Sequence, residues 1–327
     1  MKLGKVSENV LKRSIIRQLH TKREEVILGA GVGEDCAAIA VEPDEIIVMS
    51  TDPITGTVHE IGRLAIMITT NDLASSGAEP IGVMLTMLLP EGFSEAELKA
   101  LMQQLEEAAA AVNVQIMGGH TEITKAVTQP LVTVCGVGKV KKERLVTTSG
   151  AKAGMDIIAT KWIALEGTSI IARSREEELL GRFSRSFIKQ AQELDAYLSV
   201  MTEAATAVKS GVGAMHDVTE GGIYGALWEL AEASGVGLEI ELKNIPIRQE
   251  TVEICEFCNI NPYELISSGC MLMAAENGNQ LVHDLKKAGI PAVIIGKATD
   301  SNDRVLINEE ERRFLEPPKT DELYKVI

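Results

Sequence analysis

The chain has 327 residues, 45% of them hydrophobic and 24% charged, with a formal net charge of -15. That length suits about two domains, each long enough to bury its own core. The acidic balance argues against a general binder of nucleic acid or of anionic membranes. Aromatic residues make up only 3%, so base stacking on aromatic platforms is not expected. An anionic ligand would need metal ions or local backbone N–H groups. The cysteines are Cys36, Cys135, Cys255, Cys258 and Cys270. Their odd count and the absence of a signal-peptide pattern make a reducing cytoplasm the expected compartment. No run approaches about 18 consecutive apolar residues, so no membrane span is expected.

Lys5–Lys22 has the apolar spacing of a helix. It leads into GAGVGEDCAAIAVE, residues 29–42. Three alternating glycines precede Glu34-Asp35, and Cys36–Val41 reads as a strand. The loop does not open into a helix, so it is not a dinucleotide fingerprint. It is a flexible loop, with Gly31 and Gly33, whose N–H groups could approach phosphate; the alternative is a tight helix-to-strand turn. Glu45–Thr51 is a second strand, ending at Thr51-Asp52, where a strand would meet a loop. Ile61–Pro80 reads as one helix closed by Gly77 and Pro80. Ile61, Leu64, Ala65 and Ile68 mark its inward face, and Asp72 falls on that face beside Asn71. A carboxylate there is costly unless paired, which points to a polar cleft and a metal ion; the alternative is exposure or a backbone hydrogen bond. Asp35, Asp52 and Asp72 follow three successive elements. Three carboxylates near hydroxyl and amide groups such as Thr51 and Asn71 suit Mg²⁺, which shares its shell with nucleotide phosphates.

Pro80–Leu89 is a strand. Ser94–Val112 is a helix with Ser94 as N-cap, Glu97 completing a capping box, and Leu98, Leu101, Leu105 and Ala108 as its core face. Then GGHTEIT, residues 118–124, places His120, Thr121 and Glu122 in one turn after Gly118-Gly119. His120 and Glu122 are the acid–base candidates; a plain turn is the alternative. Leu131–Val140 is another strand. Residues 147–154, TTSGAKAG, form a small polar boundary. It separates domains over residues 1–148 and 149–327.

Asp156–Thr160 and Gly213–Asp217 read as strands, and Met201–Lys209 as a helix. In HDVTEGGIYGAL, Gly221-Gly222 opens a helix running to Ser234, and its free N–H groups and positive dipole end suit an anion. A simple capped turn is the alternative. Gly237–Leu242, Cys270–Ala275 and Ala292–Lys297 are strands, and residues 279–288 a helix. Cys255 and Cys258 lack a second cysteine pair or spaced histidines, so they read as helix packing rather than zinc or redox chemistry. The stretch from Asp300 is polar and ends Lys325-Val326-Ile327.

The order GVGEDCAAI, STDPITG, TTNDLASSGAEP, GGHTEIT, HDVTEGGIYGAL, LISSGC resembles the PurM-like superfamily across nearly the whole chain. That superfamily includes aminoimidazole ribonucleotide (AIR) synthetase, thiamine monophosphate kinase, selenophosphate synthetase and the hydrogenase maturation protein HypE. The nearest likeness is to HypE and related AIR synthase proteins. The resemblance implies an α/β (α+β) fold of two domains. The first would dimerise through its sheet into a shared barrel, and the second would be an α/β sandwich. It implies ATP in a cleft, Mg²⁺ held by Asp35, Asp52 and Asp72, phosphate turns at Gly118–Thr121 and Gly221-Gly222, and activation of a substrate oxygen by phosphoryl transfer. HypE proteins end in a cysteine, whereas the last cysteine here is Cys270. They commonly carry GDTK where this chain has Gly119-His120-Thr121-Glu122, and ANEG where it has Ser267-Ser268-Gly269. Cys36 does not match the selenophosphate synthetase cysteine, and thiamine monophosphate kinases usually carry aspartate in place of His120.

The leading expectation is therefore an ATP- and Mg²⁺-dependent homodimeric enzyme acting on a small-molecule substrate. A HypE-like factor working with a hydrogenase maturation protein that supplies the thiol is a second expectation. A non-catalytic nucleotide-binding dimer is the third.

Overall fold

The computed structural model describes residues 1, 3–31, 36–55, 61–317 and 319–326. It divides into two compact units, one of Met1–Ala74 with Ala78–Leu145, the other of Ser75–Gly77 with Val146–Ile327.

The first unit is built on a five-stranded sheet. Its strands are β1 (Gly4–Lys5), β4 (Glu45–Thr55), β5 (Glu79–Pro90), β6 (Gln115–Thr124) and β7 (Leu131–Lys141), in the order β1-β6-β5-β7-β4. β2 (Val26–Leu28) and β3 (Ala38–Ile39) form a separate two-stranded hairpin. Helices α2 (Ile61–Ser75) and α3 (Glu95–Ala111) cover one sheet face, and their apolar residues share a core with Val83, Leu85, Met87, Val132 and Val134 of the strands. α3 begins as its sequence demands. Ser94 accepts from the Glu97 amide and Glu97 reaches back to the Ser94 amide, so two orphan donors are satisfied together.

Four sequence expectations change here. The segment read as a helix from Lys5 opens instead with β1, followed by a short α1 (Glu8–Val10), a π turn (Leu11–Ile15) and a 3₁₀ turn (Ile16–Gln18). β4 runs on to Thr55, so Thr51 and Asp52 lie within a strand rather than at its end. Pro53 is tolerated there because β4 is a sheet edge, where a missing N–H breaks no ladder. GGHTEIT is strand β6, not a turn. Finally, the buried stripe of α2 carries Ile61, Ala65, Ile66, Thr69, Thr70 and Leu73, while Leu64, Ile68 and Asp72 lie on its half-buried side.

The second unit holds a seven-stranded sheet, β14 (Glu311–Phe314), β13 (Arg304–Asn308), β10 (Gly237–Glu241), β12 (Ala292–Thr299), β8 (Asp156–Thr160), β11 (Cys270–Ala275) and β9 (Ala214–Val218), in that order. β11 is buried at all six positions, as its unbroken apolar run requires. β13 and β14 emerge from the stretch that reads as a polar tail. Helix α8 (Gly222–Ser234) packs on the sheet through Ile223, Leu227 and Leu230. α4 (Leu165–Ser174), α5 (Glu176–Leu179), α6 (Arg185–Gln192) and α9 (Gln249–Cys258) gather into an apolar cluster that also takes in Leu323. α7 (Met201–Lys209) and α10 (Gly278–Lys287) complete the helices of this unit. Among the described residues no helix is long and apolar enough to cross a membrane.

Candidate functional site

In β4, strand alternation places Ser50 and Asp52 toward the helix-covered side and Met49, Thr51 and Pro53 on the opposite, exposed side. The next layer supplies Asp72 from α2. Ser50 Oγ donates to Asp72 Oδ2 and lies 3.3 Å from Asp52 Oδ2, so one hydroxyl links the two carboxylates. Both acids are half-buried. Asn71, beside Asp72, is 1% exposed. Ser50 was not legible as a site residue, although its two-residue spacing from Asp52 puts both on one strand face. Asp35 and Gly33 lie outside the described residues.

This oxygen-only set of two carboxylates fits a hard cation such as Mg²⁺. Among the described residues no group of three or more His, Cys, Asp or Glu side chains could hold a metal. The pair would therefore depend on ligand oxygens or water to complete a coordination shell.

Across the sheet the register runs Asp52–Val134–Leu85–Gly119 on the helix-covered face, and Pro53–Thr133–Thr86–His120 on the other. The motif that reads as one polar turn is thus split between two faces. Gly119 and Thr121 point toward the core side. His120 and Glu122 stand together on the open face, 46% and 34% exposed, with His120 Nε2 3.2 Å from Glu122 Oε2. Thr51 belongs to the open face too.

Gly31, Gly118, Gly119 and Thr121 do converge. They line a cavity of about 100 Å³, walled by Leu11, Ile15, Leu85, Met87, Met102 and Ile116. Gly119 has φ +146°, and a Cβ there would collide with the Leu85 carbonyl, so close backbone approach explains this glycine.

In the second unit Gly221 (φ +81°) and Gly222 (φ +62°) open α8. A Cβ on Gly222 would sit 2.5 Å from the Tyr263 carbonyl oxygen. The Gly221 amide donates to Asp321 Oδ2 at 2.7 Å. An acid from the far end of the chain therefore occupies the anion position. Nearby, burial pushes the Glu166 carboxyl up from its ordinary range, and the negative charge of Asp321 adds to the effect. Cys255 is buried in the α4–α6–α9 cluster, where burial pushes its thiol up to about 12. It is packed as a small apolar side chain.

Residues 33–140 match the model of the AIR synthase related protein N-terminal domain, and residues 152–308 that of the C-terminal domain. The chain belongs to the AIR synthase related proteins. Within this family it is 28% identical to a putative hydrogenase expression/formation protein of Methanocaldococcus jannaschii, over 99% of this chain and 97% of that one. It is also 28% identical to the carbamoyl dehydratase HypE of Cupriavidus necator, over 79% of this chain and 76% of that one. Among solved structures, hydrogenase maturation protein HypE in complex with ATP superposes with a TM-score of 0.83 at 19% identity, covering 99% of this chain and 97% of the other. A HypE–HypF complex gives 0.72 at 24% identity, covering 83% and 90%. The two-domain mixed α/β fold of these AIR synthase related proteins is therefore the fold of this chain.

Proposed function

We propose that this AIR synthase related protein is an ATP-dependent enzyme that activates an oxygen of its substrate by phosphoryl transfer. The observation that carries the reading is the Asp52–Ser50–Asp72 cluster. Two separate elements bring carboxylates to one hydroxyl, an arrangement suited to a phosphate-bound Mg²⁺. Asp52 and Asp72, joined by Asp35, would hold the metal. The metal would neutralise charge building on the phosphates. Gly31, Gly33, Gly118, Gly119, Thr121, Asn71 and Thr51 are the proposed nucleotide contacts of the domain over residues 1–148. In the domain over 149–327 the amides of Gly221 and Gly222 already donate to Asp321 and to the Thr219 carbonyl, so these two glycines, expected as anion contacts, are not proposed as nucleotide contacts. His120 and Glu122, the expected acid–base pair, are hydrogen-bonded on the sheet face opposite the Asp52–Asp72 cluster, so they are not proposed to act on a phosphoryl group held there. The edge strand β4, with Ile47 39% and Met49 62% exposed, supports dimerisation through this sheet.

A second reading follows from the relatives named carbamoyl dehydratase and hydrogenase expression/formation protein. In it the activated oxygen belongs to a carbamoyl group, and the partner is another hydrogenase maturation protein. ATP turnover with Mg²⁺ and a panel of small metabolites, against turnover that requires an added maturation protein, separates the two. Asp72→Asn is the control for both: it should abolish nucleotide binding while leaving the protein folded, and unchanged affinity would refute the metal assignment.

A further inference from the structure

β14 is the outer strand of the seven-stranded sheet, and its pleat turns two arginines to opposite faces. Arg312 pairs with the exposed Glu239 of β10, whose neighbours Leu238 and Ile240 are buried on the other face. Arg313 stands opposite Leu306, which is 2% exposed, and so turns toward the core side of the sheet. There its Nη2 donates to the Tyr224 hydroxyl at 2.8 Å. Among the described residues Arg313 makes no ion pair, and no acceptor takes the Tyr224 hydroxyl's own proton.

An inward charge on an edge strand guards it against pairing with another chain, but this one also borders a hollow. Its volume is about 430 Å³, inside the range of roughly 300–1,000 Å³ that small-molecule sites occupy. Leu306, Phe314, Leu315 and Pro317 give it an apolar wall, and Phe314 is 67% exposed. Tyr224 supplies a rigid polar point. Its ring stacks on Tyr263 with centroids 5.2 Å apart, and its backbone amide donates to the Tyr263 carbonyl at 3.1 Å. Burial pushes its phenol up from the ordinary value, against the pull of Arg313, so the hydroxyl keeps its proton. A guanidinium with spare donors and a buried phenol thus converge beside apolar surface. The two oxygens of a carboxylate suit these donors. The other charges on the rim are Glu264 and the Glu316–Lys319 ion pair. They leave no excess positive charge for a dianion such as phosphate, which favours a singly charged group.

We propose that the hollow beside Tyr224 is a ligand site for a monocarboxylate with an apolar body, its carboxylate held by Arg313 and the Tyr224 hydroxyl and its body laid on Leu306, Leu315 and Phe314. The site lies wholly within the second unit. It does not rest on the phosphoryl-transfer reading, whose acids belong to the first.

The test titrates the full chain with 3-phenylpropionate, followed by ligand NMR, beside the neutral 3-phenylpropan-1-ol and the cationic 2-phenylethylamine. The acid should bind with a Kd below about 1 mM, and the alcohol and amine at least about tenfold more weakly. Arg313→Gln should weaken the acid about tenfold or more, with Arg313→Lys in between because it keeps the charge and loses the planar fork. Tyr224→Phe should weaken it severalfold. Arg312→Gln, on the other sheet face, should bind as wild type does. Inorganic phosphate at about 10 mM should not displace the acid. Should Arg313→Gln prove poorly folded by thermal melting, the ranking of acid, alcohol and amine on the wild-type chain still decides. No binding of the acid up to about 10 mM would overturn the proposal and leave Arg313 as a guard of the sheet edge. Equal binding of the alcohol, displacement by phosphate, or an unchanged Kd in a folded Arg313→Gln would overturn it as well.

Discussion

Asp321 Oδ2 accepts the Gly221 amide proton at 2.7 Å, and the other oxygen of the same carboxylate accepts from Leu323 at 2.8 Å. Asp321 is 2% exposed. One acid thus joins the opening of α8 to the 3₁₀ turn Glu322–Lys325, a hundred residues further on.

Replacing Asp321 with alanine leaves two buried N–H groups without an acceptor. Each such group costs about 1–3 kcal/mol, so Asp321→Ala should lower the stability of the second unit by about 2–6 kcal/mol. Urea unfolding followed by the fluorescence of Trp162 and Trp228 measures it. An unchanged midpoint would show that Asp321 does not hold this junction.

Glu166, 4% exposed in the first turn of α4, has an Oε2 with no hydrogen-bond partner among the described residues. Burial and the nearby charge of Asp321 raise its folded pKa above the unfolded value. Its contribution to stability is therefore full below the ordinary carboxylate range and is lost as pH rises toward the folded pKa. Glu166→Gln should remove that loss, so the variant gains on wild type between pH 5 and about pH 8. Parallel urea curves at the two pH values would contradict this.

Glu25 shows the opposite sign. The hydrogen bond from Arg23, assisted by Lys139 against the cost of burial, lowers its carboxyl to about 2. The Arg23–Glu25 ion pair is then intact above the ordinary carboxylate range and weakens as pH falls toward 2. Exchange rates in the hairpin, corrected for intrinsic pH dependence, should stay level from pH 7 to about pH 4 and rise below that.

The exposed side of β4 is the proposed dimer surface. Met49→Asp or Ile47→Lys puts a charge on a sheet edge and face that would otherwise pair. Analytical ultracentrifugation should show a shift from dimer to monomer. A wild-type chain that sediments as a monomer would dismiss this surface.

Gly119→Ala would drive a methyl group into the Leu85 carbonyl at a φ that side chains rarely adopt. A loss of about 3 kcal/mol or more is expected. Gly154, with φ +90° and open space around it, should lose less than Gly119 does on the same change, by thermal melting.

Local signals were readable wherever the sequence carried its own instructions. The capping box of α3, the apolar run of β11 and the glycine-led start of α8 are written within a few residues, and the structure places each there. Readings that depended on partners fared less well. β14 looks polar because it is the outer edge strand, exposed at all four positions, whereas the apolar Val305-Leu306-Ile307 of β13 is a short run within a polar stretch. β4 passes through Pro53 because β7 pairs it on one side only. The π and 3₁₀ turns after α1 pack on α3, a contact that helical periodicity does not show.

For the site, residue types and their order along the chain named candidate acids and glycines and identified the family. Neither could say that Asp52 and Asp72 meet through Ser50, that His120 and Thr121 point to opposite faces, or that Gly221 bonds to Asp321. Composition and spacing act over one turn of helix or two residues of strand. Which face a side chain takes, and which distant residue it meets, is decided by register and packing, and those exist only once the chain has folded.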